Sequence, residues 1–270
     1  MEIAFWNVNK NKDIDLLLKD LIQENSIDIL ILAEYDGNIE NLCKIINTGN
    51  SKFRTLSNIG CDKIKGVINS KYHQEQLFAA TRYSIIGIKT TCFKIILSMI
   101  HAEANPRADD DDRQATFITF NNDILACEER FNTNNTIITG DLNSNPFDKS
   151  IIGISSLHAI PYKEETKRST RSKLGTEYKK FYNPMWRLLG AKTPPYGTYY
   201  YSSSNAINYY WHTFDQVILR PCLLPAFEDE SLRIITQIKD VTLLKNNYVP
   251  NKDYSDHLPI IFRIQEEKIK

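Results

Sequence analysis

The sequence predicts a mixed α/β chain in which two packed β-sheets carry helices on their outer faces. Three observations predict it. The chain opens strand, helix, strand: residues 2–8 (EIAFWNV) are a short apolar run, residues 13–24 repeat leucine and isoleucine at helical spacing, and residues 27–33 (IDILILA) are continuously apolar over strand length. Four more strand-like runs follow with short polar links, at 65–69, 77–82, 85–89 and 93–101, which is the pattern of antiparallel hairpins. Strands return late in the chain, at 136–140, 214–219, 232–238 and 258–264.

Each element has a local cause. Ile14, Leu17, Leu18, Leu21 and Ile22 fall on one helical face. The run at 27–33 lacks polar alternation, so it suits an inner strand covered on both faces. Residues 38–46 form a second short helix candidate. Residues 109–132 read as a long helix whose acidic first turn, Asp109 to Asp112, suits the positive end of the helix dipole. The strand at 136–140 stops at Gly140-Asp141. Residues 161–211 break the pattern. With no internal repeat and no low-complexity linker, residues 1–270 read as a single domain with a basic and aromatic insert at about 161–211.

The chain has 270 residues, enough to bury a substantial core. Its formal net charge is zero, so no global field draws it to nucleic acid or anionic membrane, and any grip on phosphate must be local. No signal-peptide pattern opens the sequence, and no run of 18 apolar residues exists. A cytoplasmic protein without membrane contact is the expectation. The five cysteines lack C-x-x-C spacing, so they read as reduced thiols and not as a zinc site.

Polar residues interrupt the apolar runs at telling places. Asn7 ends the first strand. Glu34 follows the second, in LAEYD. Asp141 and Asn143 follow a strand in TGDLNSNPF. Asp215 sits inside an apolar strand in TFDQVIL, and Asp256 and His257 precede the last strand in YSDHLPI. Taken singly, each has a plain reading: a turn residue, a solvated strand-end charge, an Asx turn or a surface pair. Taken together, carboxylates at strand ends otherwise built for burial need partners or a cation. Oxygen-only ligands point to a hard ion, Mg2+ or Mn2+, and not to zinc.

In this order, WNVN, LAEYD, a strand-end histidine, GDLNSNP, FDQV and SDHLP resemble the endonuclease/exonuclease/phosphatase (DNase I-like) superfamily, over nearly the whole chain. The resemblance implies a four-layer α/β/β/α sandwich with two mixed sheets face to face. It also implies a metal-dependent phosphodiesterase. Glu34 would be the main metal ligand, supported by Asn7 and Asp256. Asp141 would orient and deprotonate the attacking water, and Asn143 would donate to the phosphate. His257 would face the phosphate, with Asp215 behind its ring, and His101 matches a phosphate-contacting position. After His101 the sequence departs from the family pattern and reads AEANPRADDDDRQ, where Arg113 could compensate.

The insert holds nine of the fourteen tyrosines and two of the three tryptophans, interleaved with basic residues. That mixture suits backbone phosphates and stacked bases, and Lys163, Lys167, Arg168, Arg171, Lys173, Lys179 and Lys180 are the expected contacts. A nuclease acting on DNA or RNA is the favoured reading. A phosphatase on a small molecule or lipid headgroup uses the same core and stays open. So does a silent nucleic-acid-binding module, which would be expected to have lost one of Glu34, Asp141, Asp256 or His257.

Overall fold

The structure is a computed structural model that describes residues 1–47, 52–104, 109–204 and 206–269. The expected stretch after His101 therefore lies outside the described residues at 105–108, and the insert does so at 205. In chain order the elements are β1 (Glu2–Asn7), α1 (Asp15–Asn25), β2 (Ile29–Ala33), α2 (Ile39–Ile46), β3 (Phe53–Thr55), β4 (Ile64–Asn69), β5 (His73–Ala80), β6 (Tyr83–Lys89), β7 (Lys94–His101), α3 (Asp110–Phe131) and β8 (Thr136–Asp141). There follow α4 (Lys149–Ile152), β9 (Ala159–Ile160), α5 (Lys163–Thr166), β10 (Thr170–Lys173), β11 (Thr176–Lys179), β12 (Phe181–Tyr182), β13 (Tyr199–Tyr200), β14 (Trp211–His212), β15 (Asp215–Leu219) and β16 (Phe227–Ile234). Four two-residue strands, β17 (Gln237–Ile238), β18 (Val241–Thr242), β19 (Leu244–Lys245) and β20 (Val249–Pro250), precede β21 (Ile260–Ile264).

Two sheets dominate. One is six-stranded, in the order β16-β21-β1-β2-β4-β3; the other is seven-stranded, in the order β5-β6-β7-β8-β15-β12-β9. Both are mixed: β1 runs parallel to β2 but antiparallel to β21, and β7 runs parallel to β8 but antiparallel to β6. Alternate side chains point to opposite faces of a strand, and that rule sorts the core. Ile3 and Phe5 of β1, Ile29 and Ile31 of β2, Leu97 and Met99 of β7, Ile137 of β8 and Val217 of β15 meet between the sheets. Ala4, Trp6, Leu30 and Leu32 point the other way, onto Leu17, Leu18 and Leu21 of α1 and Leu42 of α2. Ile96, Ile100, Ile138 and Ile218 point onto Phe117, Phe120 and Ile124 of α3. Helix, sheet, sheet, helix is thus the layer order, as the sequence resemblance implied.

The element expectations hold with two corrections. β4 and β5 do not form a hairpin, because the chain crosses there from one sheet to the other. The expected strand at 232–238 is instead the end of β16, which starts at Phe227 and carries a bulge between Glu228 and Arg233, followed by the separate β17. The acidic run before Arg113 is a helix cap: the Asp109 side chain accepts from the Asp111 and Asp112 amides, and Asp112 returns a bond to the Asp109 amide.

The lower end of the seven-stranded sheet, opposite Asp141, is held by a buried ion network. Glu128 of α3 accepts from Arg220 Nε at 2.7 Å, Thr136 Oγ1 at 2.7 Å and Lys179 Nζ at 2.9 Å. Arg220 is itself buried and lies over the Phe181 ring, 3.7 Å from its centroid. Breaking a buried pair strands the remaining charge, at a cost of roughly 3–5 kcal/mol. Glu128→Ala should therefore lower stability by about that amount in urea denaturation, and a loss below about 1 kcal/mol would show that water reaches Arg220.

Beside this network His158 is buried, and burial together with the nearby Lys180, Arg171 and Arg220 charges pushes its pKa down from 6.5 to about 4. Below pH 6.5 the unfolded chain therefore binds a proton that the folded chain refuses. The stability cost of His158 is absent above that pH and grows as pH falls towards 4. His158→Gln should lose less stability than the parent between pH 6.5 and pH 4.5; identical pH dependence in urea titrations would remove this residue from the acid response.

Candidate active site

One rule of parity builds the site. Residues 3 and 5 of β1 face the inter-sheet core, so Asn7 does too. The same count along β7 brings His101 to that face, along β8 Asp141, and along β15 Asp215. Register then aligns them: His101 lies opposite Asp141, and Asp141 opposite Asp215. In the other sheet Asn7 lies opposite Ala33. All these positions are at the same end of the sandwich, where the apolar inter-sheet layer gives way to polar side chains. β21 approaches this end antiparallel to β1 and brings Asp256 and His257 just ahead of its first residue.

Local backbone features complete the convergence. Glu34 has φ 50°, a left-handed conformation that costs a non-glycine residue of the order of 1–2 kcal/mol. It breaks the strand alternation. Gly140 permits β7 and β8 to close up beside the site: a Cβ there would stand 1.9 Å from the Ile100 carbonyl oxygen.

Asp141 is the shared contact. Its Oδ2 accepts from Asn7 Nδ2 at 3.0 Å and its Oδ1 from the Asn143 backbone amide at 3.0 Å. The same Oδ2 lies 3.8 Å from His101 Nε2 and 3.9 Å from His257 Nε2. His101 Nε2 is also 3.5 Å from Glu34 Oε1. On the far side of the His257 ring, Nδ1 and Asp215 Oδ2 are 2.8 Å apart, both buried. Burial works against a charged His257 ring. The carboxylates of Asp215, Asp141 and Asp256 outweigh it and push the pKa up to about 10, so the ring is an imidazolium at neutral pH. Burial raises the Asp215 carboxyl, against the pull of the imidazole.

Two adjoining clefts open here and share Glu34, His101 and Ala104. The larger, about 680 Å3, exposes Asn7, Asp141, Asn143, Asp256 and His257 beneath an aromatic wall. The smaller, about 430 Å3, runs past Lys10, Lys63 and Lys65. All eight positions expected for catalysis and metal binding, Asn7, Glu34, His101, Asp141, Asn143, Asp215, Asp256 and His257, are therefore within or directly behind one site. One detail differs from expectation: Asn143 Nδ2 already donates to the Ala102 carbonyl at 3.0 Å, leaving a single N–H for any ligand.

The oxygen donors fit a hard divalent cation. Glu34, Asn7 and Asp256 border the larger cleft together with Asp141. Asn7 spends its nitrogen on Asp141 and keeps an oxygen lone pair, the other being taken by the Asn9 amide at 3.0 Å. Three carboxylates facing one imidazolium leave an excess of negative charge that such an ion would neutralise. Asp141, Asp215 and His257 also bring ligand atoms within 4.8 Å of one another. Within this trio the imidazole Nδ1 is engaged by Asp215 at 2.8 Å, and Nε2 stands 3.9 Å from Asp141.

The basic positions are elsewhere. β12 pairs with β15 only at Tyr182 and Leu219, and Leu219 lies opposite Ile137 at the low end of β8. This puts β10, β11 and their lysines some four residues down the strand from Asp141, about 13 Å. Lys163 pairs with Asp229, Lys167 with Glu164, and Lys179 with Glu128, while Lys180 donates to the Glu165 carbonyl. Arg168, Arg171 and Lys173 are exposed on and beside the β10–β11 hairpin, away from both clefts. Arg113 is buried against Asp110 in the first turn of α3 and lines neither cleft. None of these eight residues, expected to contact substrate, lines either cleft.

Several contributors escaped the sequence. Trp6 Nε1 donates to the His257 carbonyl at 2.9 Å. Ser255 Oγ donates to the Asn7 carbonyl at 2.7 Å and accepts from the His257 amide at 3.1 Å, tying β1 to the SDH turn. The Tyr199 ring packs on the His257 imidazole with centroids 4.6 Å apart. Asn145 reaches His212 Nδ1 at 3.1 Å. Trp6, Ser255 and Asn145 lie inside the WNVN, SDHLP and GDLNSNP strings, which were the available signal; Tyr199 and His212 had none beyond aromatic density.

No family model matches the sequence, and no curated protein matches it. Solved structures do. D. rerio TDP2 complexed with a single-strand DNA product is similar at TM-score 0.56 and 14% identity, over 97% of each chain. The endonuclease domain of TRAS1, a telomere-specific non-LTR retrotransposon, is similar at TM-score 0.53 and 12% identity, over 98% of each chain. The human Nocturnin catalytic domain with bound sulfate is similar at TM-score 0.54 and 14% identity, over 97% of this chain and 93% of that one. Sandwich layers, mixed sheets and these neighbours agree: the chain has a DNase I-like fold.

Proposed function

We propose that the chain is a divalent-metal-dependent phosphodiesterase, and specifically a nuclease. The observation that carries the reading is the contact chain Asp215–His257–Asp141–Asn7, with Glu34 and His101 across the same cleft. Fold likeness to an endonuclease domain and to a protein crystallised with a single-strand DNA product supports a nucleic-acid substrate.

The chain's own groups divide the chemistry. Attack of water on a phosphodiester forms one P–O bond and breaks another, and negative charge builds on the non-bridging and leaving oxygens. Asp141 accepts the proton of the attacking water, its carboxylate held in place by Asn7 and the Asn143 amide. The His257 imidazolium presents Nε2–H to the phosphate, and Asp215 behind it fixes the ring and its charge. His101 and the remaining N–H of Asn143 add donors at the cleft wall. Mg2+ or Mn2+, held by Glu34 with Asn7 and Asp256, would supply further neutralisation of the developing charge.

Asp141→Asn and His257→Ala should each lower kcat by at least about a hundredfold on a DNA or RNA substrate. Near-normal turnover in a folded variant would remove the assigned role. Glu34→Gln should shift the magnesium needed for half-maximal activity upward and diminish cation-induced thermal stabilisation; an unchanged metal titration in both assays would place the ion elsewhere.

A further inference from the structure

The larger cleft carries a feature that hydrolysis of a phosphodiester does not require. From His257 a run of rings leads outward: Tyr199 lies 4.6 Å away, Phe214 lies 5.4 Å from Tyr199 at an interplanar angle of 24°, and His212 lies 4.7 Å from Phe214 at 29°. Tyr209 then stands edge-on to His212 at 6.1 Å. Tyr201, Ile207 and Tyr209 line the same cleft yet are 53%, 73% and 57% exposed. Large apolar groups held in the open beside a reacting centre are costly to hydrate and gain by being covered.

Charge narrows what covers them. Among the described residues lining this cleft there is no lysine or arginine. The basic hairpin lies at the other end of the sheet, and Lys10, Lys63, Lys65 and Arg82 belong to the adjoining smaller cleft. A duplex is held chiefly by neutralising phosphates of both strands, and this wall offers nothing for that. An unpaired base, in contrast, presents a free face, and stacking on aromatic rings holds it without regard to sequence.

We infer that the cleft binds single-stranded nucleic acid, with an unpaired base next to the scissile phosphate stacked in the Tyr201, Ile207 and Tyr209 recess. This rests on the phosphodiesterase reading for the position of the scissile group. In a duplex the base faces cover one another, so the recess stays empty and its contribution is lost. Few phosphates are neutralised, so binding has a shallow salt dependence, with a log–log slope on the order of −1 to −2.

The test uses full-length Asp141→Asn protein with magnesium and a labelled ten-nucleotide DNA carrying 2-aminopurine, single-stranded or paired to its complement. The single strand should bind at least about tenfold more tightly than the duplex, with quenched 2-aminopurine emission. Adding Tyr201→Ala and Tyr209→Ala, both at exposed positions, should weaken single-strand binding about tenfold or more and restore the emission, leaving the salt slope as it was. Equal or tighter duplex binding, or unaltered single-strand binding by the ring-deleted protein, overturns the inference. Cleavage of bis(4-nitrophenyl) phosphate by the wild-type chain in manganese separates the two claims. Cleavage alongside duplex preference sinks the stacking site alone; stacking without any diester cleavage sinks the enzymatic reading and leaves the binding site standing.

Discussion

Side chains alternate across a strand, and the whole site depends on that alternation. Asn7, His101, Asp141 and Asp215 each end an odd-numbered run of inter-sheet residues, so each finishes on the face shared by the two sheets. A slip of one residue in any of these strands would turn its polar group outward and put its neighbour, Trp6, Ile100, Gly140 or Gln216, into its place. The apolar pattern below, with Ile3, Phe5, Leu97, Met99, Ile137 and Val217 locked into one layer, is what prevents the slip. Core packing and site assembly are thus one constraint: the register that buries the aliphatic residues also delivers the carboxylates.

Placing acids at the end of a dry layer has an electrostatic consequence. Asp215 is fully buried and would ordinarily be neutral, but His257 lies 2.8 Å away. The ring is buried too and would ordinarily lose its proton, but Asp215, Asp141 and Asp256 surround it. The proton and the charge of this pair are thus set jointly, through one 2.8 Å contact. The same logic extends to Glu34, Asp141 and Asp256, where one imidazolium faces three carboxylates. On the proposed function, a hard cation would complete the balance that the imidazolium begins, and a phosphate in the cleft would meet positive charge from both.

Much of this was legible in the sequence, for a specific reason. Asn7, Glu34, Asp141, Asp215 and the Asp256-His257 pair each interrupt an apolar run, and an interruption is visible in one dimension. The layer order followed from continuous apolar strands flanked by helical stripes. What stayed hidden were contacts made through backbone atoms: Trp6 and Ser255 hold the SDH turn by carbonyls and amides, which any residue possesses. The Glu228–Arg233 bulge was hidden as well, because a bulge displaces the ladder without leaving a gap in hydrophobicity.

The insert divides in space in a way that its sequence does not show. Lysines and tyrosines at 161–211 are neighbours in sequence, and neighbouring charge and aromaticity suggest one binding surface. The chain separates them. β12 is pinned to the low end of β15, which carries Lys163 to Lys180 away from the cleft, and β13 and β14 then return so that Tyr199 meets His257 through an isolated bridge. Part of the basic half is thereby structural, with Lys179 completing the Glu128–Arg220 network, while Arg168, Arg171 and Lys173 stay exposed at the low end of the sheet. Only the aromatic half reaches the chemistry. A cleft walled by rings, with no lysine or arginine among the described residues that line it, favours a free base face. The separation of the two halves along the sheet is therefore what assigns this fold an unpaired strand in preference to a helix of two.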